Sequence, residues 1–191
     1  MKGFTRLTLG LISLLLIAGF ASGKDFESIL KDWSKTQHHA ESANVLDLTA
    51  TLYSAEYIDA LSLSEAEKNL WTKDEVEQFK YNILKVSRMD EFIPVELSFK
   101  ILGSPLHMAP FDRQVELWIG GKAYKPVEYD PRLNFKVEES MTGMVYFPRY
   151  DEKGKDLLEG VKHLMLRVSP AISGAIRGTK VEFIWDITNQ S

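Results

Sequence analysis

Residues 114–130 read QVELWIGGKAYKPVEYD, and this stretch decides the fold. Two short runs flank Gly120-Gly121, and a glycine pair supplies the positive φ angles that a two-residue hairpin turn needs. Folding the chain there sets Ile119 opposite Lys122, Trp118 opposite Ala123, Leu117 opposite Tyr124 and Glu116 opposite Lys125. The opposite charges then meet on the face away from Leu117 and Tyr124. Cross-strand pairs of this kind contribute roughly 0.2–1 kcal/mol each. Pro126 has no N–H to give to a ladder, so the second strand lies at a sheet edge or stops there.

The same alternation continues on both sides. In IPVELSFKIL, Val95, Leu97, Phe99 and Ile101 share one face. Further runs carry Leu133, Phe135 and Val137, then GMVYFP (143–148), then Leu164, Leu166 and Val168, then Val181, Phe183, Trp185 and Ile187. About seven short strands separated by turn residues predict a two-layer antiparallel sandwich of Greek-key type. The pattern resembles the immunoglobulin-like sandwiches of exported proteins, without their Cys…Trp…Cys core. The expected fold class is therefore α+β, with residues 91–191 forming the sandwich.

Residues 24–90 follow a different period. Phe26, Ile29, Leu30 and Trp33 fall at i, i+3, i+4 and i+7, one stripe of an amphipathic helix that Asp25 can cap. If that helix runs on through Ala40, His38 and His39 lie on its wet side. NVLDLTATLYS then alternates as a half-buried strand over 44–53. Ser54 is placed to cap a short helix holding Tyr57, Ile58 and Leu61. Ser64 with Glu67 and Thr72 with Glu75 match the S/T-x-x-E capping box, the second opening a helix with Val76, Phe79, Ile83 and Val86 on one side. No Pro/Gly/Ser linker interrupts the chain near residue 90, so these helices are expected to pack on the sheet in one compact unit.

Residues 1–23 read as a secretory signal. Lys2 and Arg6 precede the apolar run Leu7–Phe20, and Ala21-Ser22-Gly23 offers small residues for cleavage. The run is short for a membrane span, and Phe20 stands where lipid attachment would need a cysteine. The chain's formal net charge is −4, and without Lys2 and Arg6 it is more negative by two. That balance argues against nucleic acid, which selects a basic surface. The sequence contains no cysteine, which removes disulfides, thiol catalysis and cysteine-ligated metal. Together these features predict export to a bacterial periplasm or beyond the cell, with no membrane span in the processed chain.

Few residues carry chemistry. In TQHHAES (36–42), a helical reading brings His38 and Glu41 within reach of one ligand at i, i+3, two donors where a stable zinc or iron site needs three and a supporting shell. In SPLHMAPF (104–111), His107 beside Met108 pairs an imidazole with a thioether, a combination that suits Cu(I). Against this, Leu106, Met108 and Phe111 can equally plug one end of the sandwich. Ser28-Ile29-Leu30-Lys31 spells S-x-x-K without its partner motifs. Loops at the ends of sandwiches commonly bind, and two stand out: Gly103–Asp112, with Leu106, Met108 and Phe111, and Ser169–Gly178, with Arg177 as its cation. The expected function is a non-enzymatic envelope or secreted module that binds another protein or a small ligand and needs no cofactor. The alternative is a periplasmic copper- or zinc-handling protein or metal-dependent enzyme using His107/Met108 or His38/Glu41.

Overall fold

A computed structural model describes residues 25–178 and 181–188; the leader-like residues 1–23 lie outside them. In chain order the elements are α1 (Phe26–Trp33), β1 (Ser34–Glu41), β2 (Asn44–Leu52), α2 (Ala55–Asn69), α3 (Lys73–Ser87), β3 (Phe92–Leu102) and β4 (Leu106–His107). There follow β5 (Val115–Ile119), β6 (Lys122–Tyr124), β7 (Glu128–Tyr129), β8 (Lys136–Val137), β9 (Ser140–Pro148), β10 (His163–Val168) and β11 (Val181–Asp186). The protein is mixed α+β, and every strand pairing is antiparallel. One sheet has the order β1-β2-β3-β9-β7, a second β11-β10-β5-β6, and β4 pairs with β8.

The glycine hairpin forms as its sequence demands. Ile119 pairs with Lys122, Trp118 with Ala123 and Leu117 with Tyr124, while Gly120 and Gly121 take φ of 57° and 85°. β6 stops at Tyr124 and is the edge of its sheet, so the Glu116–Lys125 pair falls beyond the ladder. Both main sheets turn their alternate residues into one core. Leu46, Leu48, Val95, Leu97, Phe99, Val145 and Phe147 come from the first sheet, and Leu117, Leu164, Leu166, Phe183 and Trp185 from the second. The outer face of the first sheet is polar. Thr36, Thr49, Ser98 and Thr142 stand in one register row across β1, β2, β3 and β9, with hydroxyl pairs at 2.7 Å (Thr36–Thr49) and 2.9 Å (Thr142–Ser98).

Four expectations need correction. First, α1 ends at Trp33, and Ser34–Glu41 is a strand, not a continued helix. Thus residues 24–90 contribute two strands to the sheet, where the sequence predicts only 44–53. Ser34, Thr36 and His38 find side-chain partners on β2 in Thr51, Thr49 and Asp47. This edge strand fully buries none of its residues, so its sequence carries no apolar alternation, and that hid it. Second, Ser54 does cap α2, accepting the Tyr57 N–H at 3.0 Å, but α2 runs unbroken to Asn69. Ser64 is therefore buried inside a helix and caps nothing. Third, Leu133 and Val137 are buried while Phe135 is 67% exposed. Asp130 accepts the Arg132 N–H ahead of a 3-10 turn over Pro131–Asn134, which breaks the alternation. Fourth, Val86 is exposed and α3 buries only Ser87, so its apolar side is covered far less than its periodicity implies. The Asp25 cap and the Thr72–Glu75 box form as expected.

Candidate functional site

Where strands end, a sheet pair leaves its core open unless loops close it. At one end β2 stops at Leu52, β3 starts at Phe92, β9 stops at Pro148, β10 starts at His163 and β11 stops at Asp186. The β9–β10 connection folds back over this end. Asp156 Oδ2 receives Arg149 Nε at 3.0 Å and Nη2 at 2.9 Å. Arg149 Nη1 also donates to the Met89 carbonyl at 2.8 Å, and the Tyr150 hydroxyl to the Asp90 carbonyl at 3.1 Å, tying the loop to the α3–β3 junction. The Asp151 carboxyl accepts the Lys153 and Lys155 amides, and these bonds hold it below the usual carboxylate range, the Lys155 amide acting most strongly.

The closure is incomplete. A cleft of about 600 Å³ remains between Leu52–Ala55, Met89, Phe92–Pro94 and the loop residues Leu158–Lys162. That is within the range of small-molecule sites, about 300–1,000 Å³. Its accessible apolar lining is the half-buried Met89, Phe92, Leu158 and Val161, over the core residues Leu52, Ile93, Leu164 and Ile187, which are themselves buried. Charge lies on its walls, in Arg149, Asp156, Glu159 and Lys162. Among the described residues, neither histidine nor cysteine lines it. Ser54 is committed to capping α2, and the Tyr53 hydroxyl donates to Glu96 at 3.2 Å. The lining thus provides apolar contact and fixed charge.

A second depression of about 410 Å³ lies on the outer face of the first sheet, lined by Glu96, Glu128, Asp130, Arg132, Thr142 and Tyr146 among others. Two of its acids are neutralised locally: Glu128 by Arg88 at 2.8 Å and Asp130 by Arg132 at 2.5 Å. Glu96 is different. Burial raises its carboxyl above the usual range, partly offset by the hydrogen bond from Tyr53. Burial and the Glu96 charge also push the Tyr57 phenol up to about 12 and raise Tyr53 further still.

The residues singled out in the sequence do not converge on either cavity. Leu106, Met108 and Phe111 are 0%, 1% and 0% exposed, so they are core and present no surface to a partner. His107 is exposed; Met108 points inward, so the proposed imidazole–thioether pair is split between water and core. His38 Nδ1 meets Asp47 Oδ1 at 2.6 Å on the outer face. Glu41, three residues along a strand and so on the other face, takes Arg177 Nη2 at 2.6 Å. The helical geometry that brought His38 and Glu41 together does not exist. Among the described residues, no group of three or more His, Cys, Asp or Glu side chains could hold a metal ion, and no helix is long and apolar enough to cross a membrane. The loops favoured from sequence lie at the far end of the sheets, near the β1–β2 turn, where Asn44 Oδ1 accepts the Ser104 N–H at 2.8 Å and its Nδ2 approaches Gly174. Sequence reasoning missed the cleft because its walls come from five separated segments, none with a motif of its own.

No family model matches the chain, and no curated protein matches it. Among solved structures, a novel protein of unknown function from Burkholderia pseudomallei is similar at 8% identity and a TM-score of 0.44, over 83% of this chain and 81% of that one.

Proposed function

We propose that this chain is a non-enzymatic binding module, exported to the cell envelope or beyond, that holds a small, largely apolar ligand in the cleft beside α2. The observation that carries this reading is an opening of about 600 Å³ lined by the half-buried apolar side chains Met89, Phe92, Leu158 and Val161 at the end of the hydrophobic core. Apolar side chains left half-exposed at a strand end, here Met89, Phe92, Leu158 and Val161, cost free energy unless something covers them, at roughly 25 cal/mol per Å² of apolar surface. In this reading the two sheets act as a rigid immunoglobulin-like sandwich, and the Arg149–Asp156 pair holds the rim open. Export rests on residues 1–23 alone.

The test is titration of the chain with the fluorescent apolar probe N-phenyl-1-naphthylamine. Saturable enhancement is expected from the wild type. Ala55→Trp places an indole in the cleft wall at an exposed position in the first turn of α2 and should abolish the enhancement while leaving the unfolding midpoint within error. Absence of saturable binding in the wild type, or equal binding by the variant, overturns the reading.

A further inference from the structure

Charge on the cleft walls narrows the class of ligand, given the reading above that the cleft is a binding site. Arg149 is spent on Asp156 and on the Met89 carbonyl. Glu159 is held by Lys155, at 3.3 Å. Lys162 is exposed and, among the described residues, has no carboxylate within ion-pair distance. Lys162 also acts on Asp186, which already accepts from the Thr188 hydroxyl and N–H and does not line the cleft. An apolar lining with one exposed cation outside any ion pair is complementary to a molecule with an apolar tail and a negative head.

We infer that the cleft takes a single-chain amphiphile with an anionic head group, such as a free medium-chain carboxylate, the tail covering the half-buried Met89, Phe92, Leu158 and Val161 and the head meeting Lys162. Such a ligand gains affinity along its tail, about fourfold per buried methylene, and its head contributes less, because a rim charge is screened by water and salt.

Competition against N-phenyl-1-naphthylamine tests this with decanoate and decan-1-ol, equal in chain length and different in charge. Decanoate is expected to displace the probe about tenfold more effectively than the alcohol at low salt, with the preference shrinking in 0.5 M NaCl. Lys162→Glu should remove the preference, read as the ratio of acid to alcohol competition within the same variant so that any change in probe affinity cancels; Lys162→Met, a milder change, should halve it or better. Vesicles of anionic diacyl phospholipid should not compete. Equal competition by acid and alcohol, an undiminished preference in Lys162→Glu, or capture by vesicles each overturns the inference while saturable probe binding leaves the cleft reading standing. If the probe itself fails to bind, both fall.

Discussion

Trp185 donates its indole N–H to the backbone carbonyl of Trp33 at 2.8 Å, joining two residues 152 positions apart. Trp185 is the penultimate residue of β11, one sheet edge; Trp33 closes α1 just before β1, the edge of the other sheet. Alongside it, Gln37 Nε2 donates to the Glu182 carbonyl at 2.6 Å, and Arg177 pairs with Glu41. Each edge thus has a side chain from the opposite sheet's edge region covering a backbone carbonyl that would otherwise be open to pairing with another chain. Trp185→Phe should cost about 2–4 kcal/mol, from lost volume and an orphaned carbonyl, and Gln37→Ala about 1 kcal/mol. Urea unfolding of both variants measures this. A Trp185→Phe midpoint equal to wild type would show that the edges are held together elsewhere.

Phe111→Ala should destabilise by about 3–5 kcal/mol, as removal of a fully buried ring does. A residue that served only a ligand would leave the unfolding midpoint unchanged. Met108→Leu, close in volume, should cost under about 1.5 kcal/mol. Copper or zinc should bind the wild type no more tightly than it binds the His107→Ala or His38→Ala variant. Stoichiometric metal lost on His107→Ala would revive the metal-handling alternative.

Glu96 makes stability depend on pH in an unusual direction. Burial favours its protonated form in the folded state, so the folded chain keeps a proton that the unfolded chain has already released. This contribution is fully present below the ordinary glutamate pKa and is lost as pH rises through the raised folded value. Asp130, held low first by the Arg132 side-chain hydrogen bond, works oppositely, and its contribution fades as pH falls. Glu96→Gln keeps an acceptor for Tyr53 and should flatten the loss on the alkaline side, seen as a gain in midpoint at pH 7 that vanishes near pH 4. It should also let the Tyr57 phenol ionise below its present value of about 12, read by ultraviolet titration. An unchanged phenol would exclude coupling between the two.

Thr72→Ala removes one half of the α3 capping box, in which Thr72 Oγ1 accepts the Glu75 N–H and Glu75 Oε2 accepts the Thr72 N–H at 2.7 Å. The cost is about 1 kcal/mol. Because α3 buries little, the loss should fall on that helix and not on the whole fold. Amide exchange should quicken about fivefold within Lys73–Ser87 and stay the same in β3 and β9. A matching loss of protection in the sheet would show that α3 unfolds only with the core.

Much of the sheet architecture was legible before any coordinates. Alternation placed β2, β3, β9, β10 and β11, because a strand with one dry face must repeat every two residues. The Gly120-Gly121 pair set the register of β5 on β6, because few other residues reach those φ angles cheaply. β1 was not legible: an edge strand paired through Ser34, Thr36 and His38 carries no apolar period. Ser64 with Glu67 matches a cap and so predicts a second helix start, and only the unbroken α2 with Ser64 buried inside it shows otherwise.

Of the candidate site, nothing was legible beyond the residue types. The cleft exists because Leu52, Phe92, Arg149, Lys162 and Ile187, far apart along the chain, end their strands at the same level, with one loop between them. Periodicity is a property of neighbours in sequence and determined which residues are dry. Adjacency of strand ends is a property of sheet order, and tertiary structure alone decided which dry residues were left with an opening above them.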